Sequence, residues 1–291
     1  MPGKLTRSAI AAQPAWLAQV PERVRDARLP AGARALFTGC GTSYHAALAC
    51  GPAAQALELV LGRAPAADVL VAISHEGGTR LTLEAVEGFA GETWLVTGAA
   101  DSPIASAVDH VVVATPELEE SYCHTASYTC AVAAGRALLG EDVGDLAAAV
   151  ERELAADPLG ASRHERFLVA GAGADVATVL EAVLKLREGA HVAAEAHHTE
   201  QLLHGHLAAI DPSVRSFVLE GDGRAVERAG GVVRALVEIG AEATLVPTTH
   251  PVADIVRFQR LTCDLAESRG IDPDLIRRDE EPWDRARQAY D

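Results

Sequence analysis

The chain is short of positive charge: 25 Lys and Arg stand against 41 Asp and Glu, a formal net charge of −16 over 291 residues. Such a surface repels a phosphate backbone unless it carries a concentrated basic patch, and the sequence shows none, so no nucleic-acid partner is expected. Cysteine is sparse as well. Cys40, Cys50, Cys123, Cys130 and Cys263 are an odd number with no CxxC pair, which argues against a disulfide framework or a structural zinc site and fits a reducing cytoplasm. Every apolar run is broken by charge well before the roughly 18 residues that a membrane span needs, and no basic stretch leads into an apolar core at the N-terminus. The expectation is a soluble, cytoplasmic chain with no membrane partner.

What is present is apolar material, 49% by residue with 23% charged, enough for a sizeable core and long for one ordinary domain. Short apolar runs ending in Gly or Ser alternate with longer Ala/Leu-rich amphipathic stretches, the rhythm of parallel strands joined by crossover helices. The class is α/β. Strands are expected at 35–38, 69–73, 93–96, 110–113, 167–170, 216–219 and 243–246, with helices at 81–89 and, long and buried, at 126–139. The plan repeats itself: Gly39-Cys40-Gly41 and Gly171-Ala172-Gly173 are both GxG turns between a strand and a helix, about half a chain apart. Two similar domains, 1–160 and 161–291, are expected, with the acidic, Ala-rich stretch 141–158 and its Asp157-Pro158 stop as the joint.

Each GxG turn puts small residues and helix-start amides where an anion can approach, although a tight turn without ligand reads equally well. Neither completes GxGxxG, so a dinucleotide cofactor is not implied, and no other cofactor is. The segment Ile73-Ser74-His75-Glu76-Gly77-Gly78-Thr79 runs from a strand through a hydroxyl-rich, glycine-rich turn into a helix, which suits an anion cradle. On one helical face, Glu181, Lys185 and Glu188 fall at i, i+4 and i+7. The lysine can balance one carboxylate while the other serves as a proton-transfer base, and the same spacing also describes a solvated, salt-bridged face. His204 follows Glu200 by four residues and has a reference pKa suited to proton shuttling. His197, His198, Glu200, His204 and His206 invite a metal reading, but Gly205 interrupts the helix it needs and HExxH is absent, so no metal is expected.

Cys40-Gly41-Thr42-Ser43 followed by the 74–79 loop resembles the sugar isomerase (SIS) domain family, whose first half carries a CGTS turn and then an S-x-S-G-x-T phosphate loop. Glu181 to Glu188, Ala194-Glu195 and Gln201 to Gly205 resemble, without gaps, the E-x-x-x-K-x-K-E, A-E and E-x-x-H-G-P series of the isomerase half of glucosamine-6-phosphate synthase. Residues 10–17, with Gln13-Pro14, resemble the start of free-standing tandem SIS proteins. The resemblance implies two tandem SIS domains, each a flavodoxin-like three-layer α/β/α unit with a parallel sheet flanked by helices. It implies that Glu188 moves a proton between sugar carbons C1 and C2, that His204 opens the ring, and that Glu181 and Lys185 belong to the same machinery. Cys40, Gly41, Thr42, Ser43, Ser74, His75, Glu76, Thr79, His124, Thr125 and Glu195 are the implied substrate contacts. It also implies a homodimer in which the histidine loop completes the neighbouring site.

Four departures bear on activity. Glu76 stands at the loop's second serine, where a carboxylate about 4 Å from a phosphate charge costs about 4 kcal/mol at an effective dielectric of about 20. Either Glu76 turns outward, or it accepts from a ligand group that is not phosphate, the reading favoured by the sequence. Gly78 replaces a glutamate. In Tyr122 to Thr129, which resembles a V-A-S-T-K-x-F-T helix start, His124 takes a sugar-contacting serine position and Ala126 a lysine position. The segment 270–283 has no lysine where the family places one over the sugar, leaving Arg277 or Arg278 to supply charge. With Pro2 after Met1, no N-terminal cysteine nucleophile, and so no glutaminase activity, is expected. The expected function is isomerisation or deamination of a sugar, or sugar phosphate, through an enediol or enamine. The alternative is a catalytically silent module that senses a sugar phosphate.

Overall fold

The computed structural model describes residues 2–160 and 163–289. Its first sheet joins β1 (Ala35–Gly39), β2 (Ala53–Gln55), β3 (Val69–Ile73), β4 (Glu92–Thr97) and β5 (His110–Val113) in the spatial order β2-β1-β3-β4-β5. A second sheet joins β6 (Arg166–Gly171), β7 (Ala193–His198), β8 (Val214–Leu219) and β9 (Glu242–Val246) in the order β7-β6-β8-β9. All pairings are parallel. The helices of the first half are α1 (Lys4–Leu17), α2 (Val20–Arg23), α3 (Thr42–Cys50), α4 (Ala56–Val60), α5 (Arg80–Glu87), α6 (Ala126–Leu138) and α7 (Leu146–Ala155). Those of the second are α8 (Asp175–Ala190), α9 (Thr199–Leu203), α10 (Arg224–Glu238), α11 (Pro251–Arg269) and α12 (Glu281–Gln288).

A parallel strand covered on both faces needs apolar side chains at every position, and β3, Val-Leu-Val-Ala-Ile, is buried throughout. Its alternate residues serve different layers. Val69, Val71 and Ile73 join Phe37, Val132, Phe167, Val179 and Phe258 in one continuous core between the two sheets. Leu70 and Ala72 join Leu36, Val86 and Leu95 on the outer face of the first sheet. Leu168, Val218, Val232 and Leu236 form the matching outer layer of the second.

Two strands were not visible in the sequence. β2 is only three residues, and β7 reads Ala-Ala-Glu-Ala-His-His because it is an edge strand with mostly half-buried or exposed residues. The loop expected around His197 to His206 is therefore a strand end, the short α9, and a break at Gly205, whose φ is 114°. The joint 141–158 contains α7, and the boundary proposed between 160 and 161 reaches residue 161, outside the described residues.

After α11 the chain returns to the start of α1. Asp274 accepts hydrogen bonds from Leu5 N (3.0 Å), Thr6 N (2.8 Å) and Thr6 Oγ1 (2.7 Å), and Asp272 from Gly3 N (2.9 Å). These carboxylates satisfy the orphan amides of a helix that has no side-chain cap of its own. Tyr122 N donates to Asp274 O (3.0 Å), so the segment 275–278 is laid against the first half.

Candidate active site

A cavity of about 750 Å³ opens at the carboxyl ends of β1 and β3, where the strand order of the first sheet reverses direction. Two glycines shape its first wall. A Cβ on Gly39 would lie 2.8 Å from Ser43, and Gly41 holds a φ of 57° with ψ −129°, a conformation side chains avoid. Cys40 is exposed there, its Sγ 3.6 Å from Thr82 Oγ1. The second wall is the 74–79 loop, held down at Gly77, where a Cβ would meet Ser102 Oγ at 2.0 Å. Ser74 is buried, Glu76 and Thr79 are exposed at the rim, and Thr79 immediately precedes α5, whose first-turn amides have no intrahelical acceptor. Glu76 accepts no hydrogen bond among the described residues.

Behind the cavity the sequence face on α8 becomes a charge chain. Lys185, fully buried, donates to Glu188 Oε2 (2.8 Å), Thr42 Oγ1 (3.0 Å) and the Cys123 carbonyl (2.5 Å). It lies 3.3 Å from Glu181 Oε1 as well. Burial works against the ammonium, but Glu181 and Glu188 outweigh it and hold the lysine above its usual range. Glu181 is wholly buried and takes Thr42 Oγ1 (3.3 Å) and His45 Nδ1 (2.8 Å). Glu188 alone of the three faces the cavity. Burial raises its proton affinity, with Lys185 pulling the other way. A half-buried carboxylate with raised proton affinity, beside a fixed ammonium, is chemically suited to taking and returning a proton. The solvated-face reading of Glu181, Lys185 and Glu188 is therefore set aside by their burial.

The third wall is the approach to α6. His75 Nε2 accepts from Glu119 N (2.9 Å) and its ring meets that of His124 edge-on at 5.3 Å. Burial lowers both imidazoles, His124 to about 4, against the pull of Glu119. His124 holds a φ of 40°, which swings its ring to the cavity. Thr125, an expected substrate contact, is turned away: its N and Oγ1 donate to Glu119 Oε1 (2.7 and 2.8 Å). Thr42 lines the cavity, yet its hydroxyl is engaged with Glu181 and Lys185, leaving its backbone as the free contact.

The tail supplies the cation. Arg278 lines the cavity with its guanidinium 4.0 Å above the Tyr122 ring. Arg277 points elsewhere, to His191 Nδ1 (3.1 Å) and the Trp283 ring (4.0 Å).

Glu195 and His204 do not reach this cavity within one chain. Glu195 pairs with His197 (3.2 Å) on β7, and His204, 69% exposed, pairs with Glu200 (2.9 Å), which Arg228 also clasps at 2.6 and 2.8 Å. Among the described residues no group of three His, Cys, Asp or Glu is arranged to hold a metal, and no helix is long and apolar enough to cross a membrane. Sequence reasoning missed His45, Glu119 and Tyr128. His45 stands directly after the CGTS turn's tyrosine and Glu119 six residues before a Thr-x-Ser helix start, which is the only signal either carried.

No protein-family model matches the chain. It is 30% identical, over 88% of its length, to the glutamine–fructose-6-phosphate aminotransferase (isomerizing) of Aeropyrum pernix. The chain spans about half of that relative, 52%. Among solved structures, the C-terminal domain of glucosamine-fructose-6-phosphate aminotransferase from Francisella tularensis superposes with a TM-score of 0.76 at 17% identity, covering 93% of this chain and 97% of that one. The chain has the SIS fold. Glucosamine-6-phosphate deaminase from Thermotoga maritima shares it (TM-score 0.77, 21% identity, 94% and 97% covered). So does tagatose-6-phosphate ketose/aldose isomerase from Escherichia coli (0.79, 16%, 95% and 97%). The sequence match places the chain beside the sugar-isomerase part of the aminotransferase, and the SIS fold accounts for both sheets and the helices that flank them.

Proposed function

We propose that the cavity binds a sugar phosphate, or a closely related sugar, and that Glu188 carries a proton between neighbouring carbons. The observation that carries this reading is the Glu188 carboxylate on the cavity wall, backed by buried Lys185 at 2.8 Å and facing the turns that begin α3 and α5. Glu188 takes the proton from the carbon beside the open-chain carbonyl, whose oxygen gains a proton, giving an enediol. Return of the proton to the former carbonyl carbon, as the neighbouring hydroxyl gives up its own proton and becomes the new carbonyl, completes aldose–ketose isomerisation. With an amino sugar the same abstraction gives an enamine, which tautomerises to an imine, adds water and releases ammonia. The named activities of the Aeropyrum aminotransferase and the Thermotoga deaminase support this class of chemistry.

The division of the chain into domains at 160/161 belongs to the same proposal, as does assembly. His204, exposed and away from its own cavity, is assigned to the cavity of a second copy as the ring-opening group. Light scattering should give a dimer; a mass near 30.4 kDa at micromolar concentration counts against the shared site.

The test of chemistry is proton exchange in deuterated buffer, followed by NMR at C1 of fructose 6-phosphate and C2 of glucosamine 6-phosphate. Exchange should occur with one of them or with another hexose or hexosamine phosphate, and Glu188→Gln should slow it about a hundredfold without lowering the melting temperature. Binding without exchange on every such sugar supports the silent sensor instead, a reading that Glu76 in the loop favours.

A further inference from the structure

We infer that His45 is a positioning residue for Glu188, acting through Glu181 and Lys185; the inference rests on the proposed role of Glu188 as the base. Lys185 has three N–H donors, and the Glu188 carboxylate, the Thr42 hydroxyl and the Cys123 carbonyl take one each, at 2.8, 3.0 and 2.5 Å. None remains for Glu181, which lies 3.3 Å from the ammonium as an ion pair only. Glu181 has no exposed surface, so both of its oxygens must be satisfied from within the protein. Oε1 receives the Thr42 hydroxyl at 3.3 Å, a long contact, and the one short bond to the carboxylate is His45 Nδ1 at 2.8 Å. An ionised carboxylate only accepts, so the proton of His45 sits on Nδ1.

Removing that donor leaves a wholly buried carboxylate underbonded. Lys185 is the nearest source of relief, and each step it takes toward Glu181 lengthens its contact with Glu188. The base then loses the cation that restrains its proton affinity. His45 also sets the charge of the group: with a neutral imidazole the quartet of His45, Glu181, Lys185 and Glu188 sums to −1, and with imidazolium it sums to zero. The other groups facing it leave this count unchanged. Tyr128 on α6 and Cys123 and His124 before it are held neutral by burial, and Arg136 near the far end of α6 donates to Ala49 O on α3 and pairs with Glu141.

Two readouts separate positioning from mere structure. In the exchange assay His45→Phe should lower the turnover rate about tenfold or more with KM within about twofold, and move the acid limb of the pH profile to higher pH. His45→Asn, whose amide still donates, should recover most of the loss. Independently of turnover, the carboxylate ¹³C resonance of Glu188, assigned with Glu188→Gln, should titrate at higher pH in His45→Phe than in wild type. An unchanged rate, limb and Glu188 titration overturns the inference. Wild type with no exchange on any sugar phosphate sinks the proposed function, and the ¹³C titration still decides His45. His45→Ala, with added imidazole as the rescue, replaces the Phe variant if that one does not fold.

Discussion

Glu119 gives its backbone N–H to His75 Nε2 at 2.9 Å, and the same residue's carboxylate receives Thr125 N, Thr125 Oγ1, Ser127 N and Ser127 Oγ at 2.7–2.8 Å. One acidic residue thus pins the anion loop to the start of α6, and it does so where the helix dipole favours negative charge. Glu119→Ala strands four donors in a buried place and should destabilise the fold by about 3 kcal/mol, read by urea denaturation. A loss below about 1 kcal/mol would mean that water replaces the carboxylate at no cost.

Glu76 is exposed at the rim of the cavity that it helps to line, and it accepts no hydrogen bond among the described residues that would offset its charge toward a bound phosphate. Glu76→Ser should therefore tighten binding of a phosphorylated sugar several-fold by removing like-charge repulsion. Calorimetric titration with phosphorylated and unphosphorylated forms of one sugar checks this. Weaker binding in the variant would restore the view that Glu76 accepts a hydrogen bond from the ligand.

The two tail arginines should behave differently. Arg278→Ala removes the cavity's guanidinium and should weaken an anionic ligand about tenfold in Kd, whereas Arg277→Ala should leave affinity intact and lower the melting temperature by removing the tail's bond to His191 and its own stacking on the Trp283 ring. Equal effects of the two on affinity would contradict the placement of the tail.

Asp254 offers a pH test away from the cavity. Burial lifts its carboxyl from 3.8 to about 7, and its Oδ2 has no partner while Oδ1 accepts from Thr249 N. Between those values the folded protein holds a proton that the unfolded chain has released, so this group's contribution to stability falls as pH rises from about 4 to 7 and is level above. Asp254→Asn should gain stability relative to wild type on going from pH 4.5 to 8, on the order of a few kcal/mol, measured by urea midpoints. A difference independent of pH would show that the carboxyl ionises normally.

The sequence carried the elements whose pattern is local. β3 and β5 were legible to the residue because Val69–Ile73 and His110–Val113 are unbroken runs between turn signals, and α6 was legible to within one residue of its end. The turn at Gly39 to Ser43 was readable because glycine is demanded there by close approach and by φ. β7 was not, since an edge strand of Ala, Glu and His has no apolar period to detect. Glu181, Lys185 and Glu188 showed themselves by helical spacing, but spacing could not tell a buried chain from a wet face. His45, Glu119 and Asp274 stayed hidden for one reason: each acts on a partner, or on a helix end, that only folding brings to it, across 136 residues for His45 and Glu181 and 268 for Asp274 and Thr6.

The core between the sheets draws side chains from both halves, and further bonds cross the same divide. Gln13 on α1 donates to Gln259 on α11 at 2.8 Å, and Arg260 on α11 holds the carbonyls of Glu153 and Ala156 at the end of α7 at 2.7 and 2.8 Å. A proteolytic nick at exposed Asp157 would then break the covalent thread without freeing either piece. The two fragments would travel through a sizing column as one particle and melt in one transition, because the surface each would have to bare is the interior of the other.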